Sequence, residues 1–368
     1  MRPLFPEHLG SHGNQGRPLL VAEIGSNHAG NAELAQTMVR AAAACGAGAV
    51  KFQAFQAETF IHPLSSYFKE FAAEELSFDV LASLMTLSHG LGLKVGLTVF
   101  DDTGLSLAKQ SCADYVKISS GDLTNFPLIK AAAASGCPLV LSTGASNDSE
   151  VKKALNLAAP NLLALLQCTS LYPCPAHLIN LSVLDSWLNS GLPAGLSDHA
   201  ADLEASLAAL DLGAVMVEKH FTVDRSLPGG DNSMSALPEE FSVLAEASNQ
   251  LYKPAPTEGQ QERRPPGPLA GAKTFVFADQ PFWGKPDKKL QPGENPLLIR
   301  RVAVAAFDLQ IGDRISPPGV IFMRPPDFSP VPDHWAPLTP DRSLGGLILV
   351  NFVAKGDIIT LSDVDLNQ

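Results

Sequence analysis

The sequence predicts an α/β fold, a (β/α)8 TIM barrel followed by a small, mostly β domain, and three observations carry that prediction. From residue 19 to 220, short β-rich runs alternate with longer Ala/Leu-rich segments, the pattern of repeated β-α units around a parallel sheet. The runs number eight within about 200 residues, which suits a closed barrel better than an open doubly wound sheet. Beyond the barrel, a stretch rich in Pro, Gly, Lys and Gln gives way to short strand-like pieces separated by turn dipeptides.

In chain order, the first run is LLVAE (19–23), followed by AELAQTMVRAAAACGAG (32–48), whose apolar residues share one helical face and which stops at Gly. The runs AVKFQ (49–53), KVGLTVF (94–100) and DYVKI (114–118) come next. TNFPLIKAAAASGCP (124–138) is again an amphipathic helix with a Gly and Pro stop. PLVLS (138–142), LLALLQC (162–168), PAGLS (193–197) and AVMVEKH (214–220) complete the set. Residues 1–250 are therefore expected to form the barrel domain, 251–296 a linker (KPAPTEGQQERRPPGPLAG, then GKPDKKLQPGENP), and 297–368 the β domain. RRVAVAAFDL, VIFMRPP and LILVNFVAKGDIIT are its strand-like pieces. At about 70 residues, that domain would gain stability by docking on the barrel or on a partner subunit.

Composition narrows the function classes. With 45% hydrophobic residues over 368 positions the chain can bury a substantial core. It has no apolar run of 18 or more, and its first 17 residues lack a signal-peptide stretch, so a soluble, cytoplasmic protein is expected. The five cysteines are scattered without a CxxC pair, which fits a reducing compartment. A formal charge of −12 argues against nucleic acid as a partner. An anionic small substrate would need the few basic residues placed locally.

In a barrel of this kind the C-terminal strand ends line one mouth. Each of the eight runs ends in polar or ionisable residues: Glu23, Lys51 with Gln53, Thr98, Lys117, Ser142, Thr169 with Ser170, Ser197 with His199, and Glu218 with His220. A stability-only barrel has no need of this, because a charged group in a half-buried mouth is costly unless paired or bound to a ligand. Lys51 and Lys117, with Ser120, Ser142 and Ser197 and with Gly121 and Gly144 close by, resemble a cradle for a phosphate and a carboxylate. His199 and His220 end adjacent strands and are a reasonable site for a divalent metal such as Mn²⁺ or Mg²⁺. His28, in GSNHAG, is a further candidate for the mouth without an evident second partner. Taken singly, each lysine reads equally as a surface group and each histidine as a hydrogen-bonded core residue.

With these residues assembled, the chain resembles the sialic acid synthase family, which includes the legionaminic and pseudaminic acid synthases. The resemblance is carried by AEIGSNHAGN (22–31), AVKFQAF (49–55), KISSGDLTNFPLI (117–129), LSTGAS (141–146), CTSLYPCP (168–175), GLSDHA (195–200) and EKHFTVDRSLPGGD (218–231). It implies a barrel with a C-terminal antifreeze-like (SAF) domain swapped across a homodimer. It also implies metal-dependent condensation of phosphoenolpyruvate with an N-acylated amino sugar, N-acetylmannosamine in the sialic acid synthases. By motif, Lys51, Thr98, Lys117, Ser120, Ser142, Ser170 and Ser197 would hold phosphoenolpyruvate, and His199 and His220 the metal. Gln53, Phe100, Asp122, Tyr172 and Asp231 would contact the sugar, Glu23 would serve in proton transfer or in fixing the attacking water, and Arg324 would reach into the partner's site for the N-acyl group.

The departures lie on the sugar side. Asp122 stands where a Glu is common, Ser170 where some members have Asn, and RPPDFSPVPDHW after Arg324 lacks the family's Gly-rich loop. The competing readings are a synthase acting on a phosphorylated aldose, which would need a further basic cluster, and a barrel that merely presents its C-terminal domain as a binding module.

Overall fold

The computed structural model describes residues 17–251, 282–316, 318–327, 337–340 and 347–365. The loop expected to depart from the family after Arg324 falls largely on 328–336, outside the described residues. Eight strands, β1 (Leu19–Gly25), β2 (Ala49–Ala54), β3 (Lys94–Val99), β4 (Tyr115–Ile118), β5 (Leu139–Ser142), β6 (Leu162–Cys168), β7 (Ala194–Asp198) and β8 (Met216–His220), close into a barrel. Each β-rich run supplies one strand, all neighbours are parallel, and β8 pairs back to β1 with Glu23 opposite His220.

The alternating pleat assigns each strand residue to the barrel interior or to the helix layer. On β1, Leu20, Ala22 and Ile24 pack outward with helical residues such as Met38, Val39, Leu81 and Leu84. Leu19 and Val21 point inward with Ala49, Tyr115, Val140, Leu166 and Met216, filling the lower barrel. Burial on both faces explains why these strands read as continuous apolar runs. Interior volume is shared unevenly: a Cβ on Gly96 would lie 2.2 Å from Cζ of Tyr115, so the glycine makes room for that ring.

The helices between strands start where the sequence offers caps. Asn31 accepts from the backbone N–H groups of Glu33 and Leu34 at the start of helix Ala32–Ala44. Asn147 and Glu150 form a reciprocal capping box at helix Asp148–Ala158. Such caps fix where each helix begins, and hence the length of the βα loops that form the mouth. No helix among the described residues is long and apolar enough to cross a membrane.

The C-terminal region contains a small antiparallel sheet, β9 (Val302–Ala305) with β10 (Val320–Met323), and bridges such as Leu309 with Val353 and Leu349 with Val364. Ala303, Leu309, Ile315, Leu338, Leu349 and Ile359 give it a core of its own. It docks on the excursion after β2. Arg324 donates its backbone N–H to Phe60 (2.9 Å) and accepts from His62 N–H (2.9 Å), while Asp327 accepts from Ser65 Oγ (2.9 Å) and Ser66 N–H (2.8 Å).

Of the stretch expected to be a linker, 252–281 lie outside the described residues, whereas 282–296 are packed on the barrel. Phe282 and Lys288 are buried, and the carbonyls of Phe282 and Trp283 accept from the N–H groups of Leu181 and Ser182, each at 2.8 Å. A Pro- and Gly-rich composition argues only against an independent core; it leaves open docking on a core built by other residues.

Candidate active site

Strand register sets the first layer of the mouth. β1 and β2 pair Glu23 with Lys51, β3 and β4 pair Thr98 with Lys117, and β7 and β8 pair Ser197 with Glu218. Lys51 Nζ lies 2.5 Å from Glu23 Oε2 and donates to Thr98 Oγ1 at 2.7 Å. Lys117 is ion-paired to Glu218, which also accepts from Ser197 Oγ at 3.1 Å. Gln53 Nε2 donates to Glu23 Oε1 at 3.3 Å. All of these except the half-buried Gln53 are buried.

Two carboxylates facing two ammonium groups do not titrate alike. Burial alone would raise Glu218, but Lys117 and Lys51 outweigh it and hold the carboxyl at about 2. On Glu23 burial wins over Lys51, and the charge of Glu218 adds to it, so its pKa is raised. Burial lowers Lys117, against the pull of Glu218. Glu218 is thus the fixed charge and Glu23 the carboxyl best suited to exchanging a proton.

The serine cradle forms beside Lys117. Ser142 Oγ and Ser170 Oγ are buried without a hydrogen-bond partner, and Ser120 Oγ accepts from Gly144 N–H at 2.9 Å. A Cβ on Gly144 would lie 2.1 Å from Ser170 Oγ and 2.8 Å from Ser120 Oγ. The glycine therefore keeps the space between these hydroxyls open. Unpaired buried hydroxyls next to an ammonium group fit an oxyanion.

Above this layer, the His199 and His220 ring centroids are 5.5 Å apart, with Tyr172 stacked on His199 at 4.1 Å. His199 Nδ1 lies 2.8 Å from Thr169 O, a bond that places the proton on Nδ1 and leaves Nε2 as a ligand lone pair. Its pKa is raised: burial lowers it, and neighbouring Cys168 outweighs that effect. Cys168 itself is lowered to about 7, because His199 outweighs the effect of burial. Burial lowers His220 to about 4, so the ring is neutral at pH 7. Its Nδ1 is buried with no hydrogen-bond partner, and Asp231 Oδ2 is 3.6 Å away. Among the described residues no group of three or more His, Cys, Asp or Glu could hold an ion. The pair fits a divalent ion whose other positions are taken by solvent or substrate oxygen: imidazoles converging with metal–nitrogen bonds of about 2.1 Å have centroids at this order of separation.

The expected sugar-side residues are not all placed alike. Phe100 packs with Phe55 and Phe60 in a buried cluster. Arg324 stacks over Phe60, 4.6 Å from the centroid, with Nε buried and unpartnered; burial and nearby Arg301 lower its pKa to about 10. It stands over the Phe cluster of its own chain's barrel. Asp122 is placed differently from the expectation: both its oxygens accept from Arg301, at 2.9 and 3.1 Å, so it is committed to a buried ion pair. His28 is a buried turn residue whose Nδ1 accepts from Gly30 N–H at 3.1 Å.

The sequence marked Glu218 only as a polar strand end, with no partner or task assigned, and did not mark Arg301 at all. Glu218 was discoverable, since it lies two residues before His220 on one strand and so shares its face. Arg301 carried no local signal, because its partner is 179 positions away.

A family model described as the NeuB family matches residues 38–259. The N,N'-diacetyllegionaminic acid synthase of Legionella pneumophila is 31% identical over 330 residues, covering 83% of this chain and 85% of its own. Among solved structures, the spore coat polysaccharide biosynthesis protein SpsE of Bacillus subtilis has a TM-score of 0.76 at 25% identity, over 97% of both chains. The N-acetylneuraminic acid (sialic acid) synthetase of Leptospira borgpetersenii has a TM-score of 0.61 at 32% identity, over 69% of this chain and 92% of that one.

Proposed function

The chain belongs to the NeuB family, the synthases of sialic, legionaminic and pseudaminic acids, and on that premise we propose that it condenses phosphoenolpyruvate with N-acetylmannosamine, releasing phosphate and N-acetylneuraminate. The observation that carries this reading is the stacking of two chemistries in one mouth: a lysine and serine cradle below, and two imidazoles 5.5 Å apart above. A second reading, a 2,4-diacetamido-trideoxyhexose as acceptor, is favoured by the likeness to the Legionella synthase. Both acceptors are unphosphorylated, in keeping with a sugar side of acidic and aromatic residues on which Arg301 is paired to Asp122 and Arg324 keeps an unpartnered Nε.

In this reading Lys51, Thr98, Lys117, Ser120, Ser142, Ser170 and Ser197 bind phosphoenolpyruvate. Gln53, Phe100, Tyr172, Asp231 and Arg324 shape the acceptor's place, Arg324 reading its N-acyl group. His199 and His220 would hold a divalent ion, Mn²⁺ or Mg²⁺, which supplies Lewis-acid polarisation of the aldehyde oxygen. Holding both reactants in one orientation lets C3 of phosphoenolpyruvate attack the aldehyde carbon. The carbonyl electrons move to the aldehyde oxygen, which takes a proton from Glu23 and becomes a hydroxyl. Positive charge at C2 is captured by water, whose first proton returns to Glu23; the C2–O bond to phosphate then breaks as the new C2 hydroxyl gives up its remaining proton to the departing phosphate, leaving the 2-keto acid and inorganic phosphate. Glu218 stays ionised and keeps Lys117 charged against burial.

The protein is further proposed to be cytoplasmic, in line with its five free cysteines, and to form a homodimer that exchanges its C-terminal domains. Incubation with phosphoenolpyruvate, Mn²⁺ and N-acetylmannosamine is expected to release phosphate and form a nine-carbon 2-keto acid, and His220→Ala to abolish the metal-stimulated rate with an unchanged far-UV spectrum. Turnover only with a diacetamido sugar moves the assignment to the second acceptor. Turnover only with a sugar phosphate overturns both.

A further inference from the structure

We propose that the segment 288–301 sets the geometry of the phosphate cradle, with Glu294 as its central positioning residue; this rests on reading the cradle as the phosphoenolpyruvate site. Glu294 is a buried carboxylate that reaches across two separate loops. Its Oε1 accepts the backbone N–H of Ala145 (2.6 Å), after β5, and that of Ser170 (2.7 Å), after β6. Its Oε2 accepts Gln291 N–H at 2.7 Å, closing the turn that presents it. Ser142, Gly144 and Ser170, the open part of the cradle, lie on those same strand ends and loops. The β5–β6 pairing stops at Ser142 opposite Leu166, so beyond it the carboxylate bridges the two loops.

Two further features show that the loop after β5 is held. Ala145 has φ of 49°, a left-handed conformation unfavourable for a residue with a Cβ, and such backbone persists only where its surroundings over-determine it. Glu294 takes its N–H while Arg300 Nη2 donates to its carbonyl at 2.7 Å, and Arg300 is itself anchored by Glu150 at 2.9 Å. On the other loop, buried Lys288 donates to Gln167 Oε1 (3.1 Å) and Cys168 O (2.8 Å), just before Ser170. A carboxylate beside an anion site opposes the anion electrostatically. Its contribution here is geometric: short, charge-assisted bonds fix where Ser170 Oγ and the Gly144 backbone stand.

The test uses the full-length protein and phosphoenolpyruvate itself as the probe, with its Kd measured by calorimetry, the acceptor KM by steady-state kinetics, and melting temperature as the fold control. Glu294→Asp keeps the charge but withdraws the oxygens by one methylene; Glu294→Ala removes them. Both are expected to weaken phosphoenolpyruvate binding roughly tenfold to a hundredfold while the acceptor KM stays within about twofold. If Glu294→Ala does not fold, Glu294→Asp decides. Ser142→Ala separates this idea from the reading beneath it. Weakened binding in Ser142→Ala but wild-type binding in the Glu294 variants sinks the positioning role and spares the cradle. Wild-type binding in all three sinks both. An equal rise in Kd and acceptor KM with a lowered melting temperature would make Glu294 a structural support only.

Discussion

At the scale of single residues, the mouth is governed by which buried charges are paired. Glu23 and Glu218 are the same residue type in the same layer, yet they are driven apart because Lys117 and Lys51 act together on Glu218, whereas on Glu23 burial prevails. A different carboxylate offers a cleaner test of burial. Glu74, at the end of helix Phe68–Glu74, is raised to about 7 by burial, with Glu70 and Asp231 adding repulsion. Its folded pKa exceeds the ordinary value of 4.5, so the folded state favours the proton. The cost of ionising it is absent below pH 4.5, grows through the window from 4.5 to about 7, and is complete above that. Glu74→Gln is therefore expected to be more stable than wild type at pH 8 by about 1–2 kcal/mol, the full shift being reduced because solvent still screens part of the carboxyl, with the advantage vanishing near pH 4.5. Urea midpoints of the two proteins at both pH values check this, and a pH-independent difference would show that Glu74 is not the titrating group.

At the scale of elements, the strands carry the candidate groups and the segment 288–301 braces the loops around them. Strand register alone sets Glu23 beside Lys51 and Ser197 beside Glu218, since parallel neighbours at matched depth point their side chains the same way. The brace enters at Gly121, where a Cβ would lie 2.3 Å from the carbonyl oxygen of Ile299. Gly121→Ala is expected to push Ile299 away and strain the Asp122–Arg301 pair, lowering stability by about 1–3 kcal/mol. Thermal melting measures this, and an unchanged melting temperature would mean that the segment does not depend on that close approach. Arg301 adds a second tie by donating to Phe60 O at 2.6 Å and stacking over the Phe60 and Phe100 rings, so it joins the C-terminal region to the excursion after β2 and to the Phe cluster.

At the scale of the whole molecule, the proposed site draws on the C-terminal region, because Arg301, Glu294 and Arg324 all come from beyond residue 281. For a homodimer that exchanges these regions, mixing two inactive variants, His220→Ala and Arg324→Ala, should restore activity, since a mixed dimer contains one barrel with both residues intact. No recovery after denaturation and joint refolding would favour a site built from one chain. The barrel was legible in the sequence because burial on both faces of a parallel strand leaves an apolar run, and eight runs in succession have few other ways to close. The polar strand ends Glu23, Lys51, Lys117, Ser142, His199 and His220 were legible for the same reason: a charge ending an apolar run stands out locally, and the fold places every such end at one mouth. The Pro- and Gly-rich segment concealed a packed brace, since its partners lie more than 100 residues away and composition reports only on local structure. Sequence by itself therefore determined the fold and the ring of candidate groups. The tertiary structure alone decided which of those groups are committed to one another, Asp122 to Arg301 and Glu218 to Lys117, and which keep unpaired atoms for a ligand, because pairing in a buried site depends on distances between segments remote in the chain.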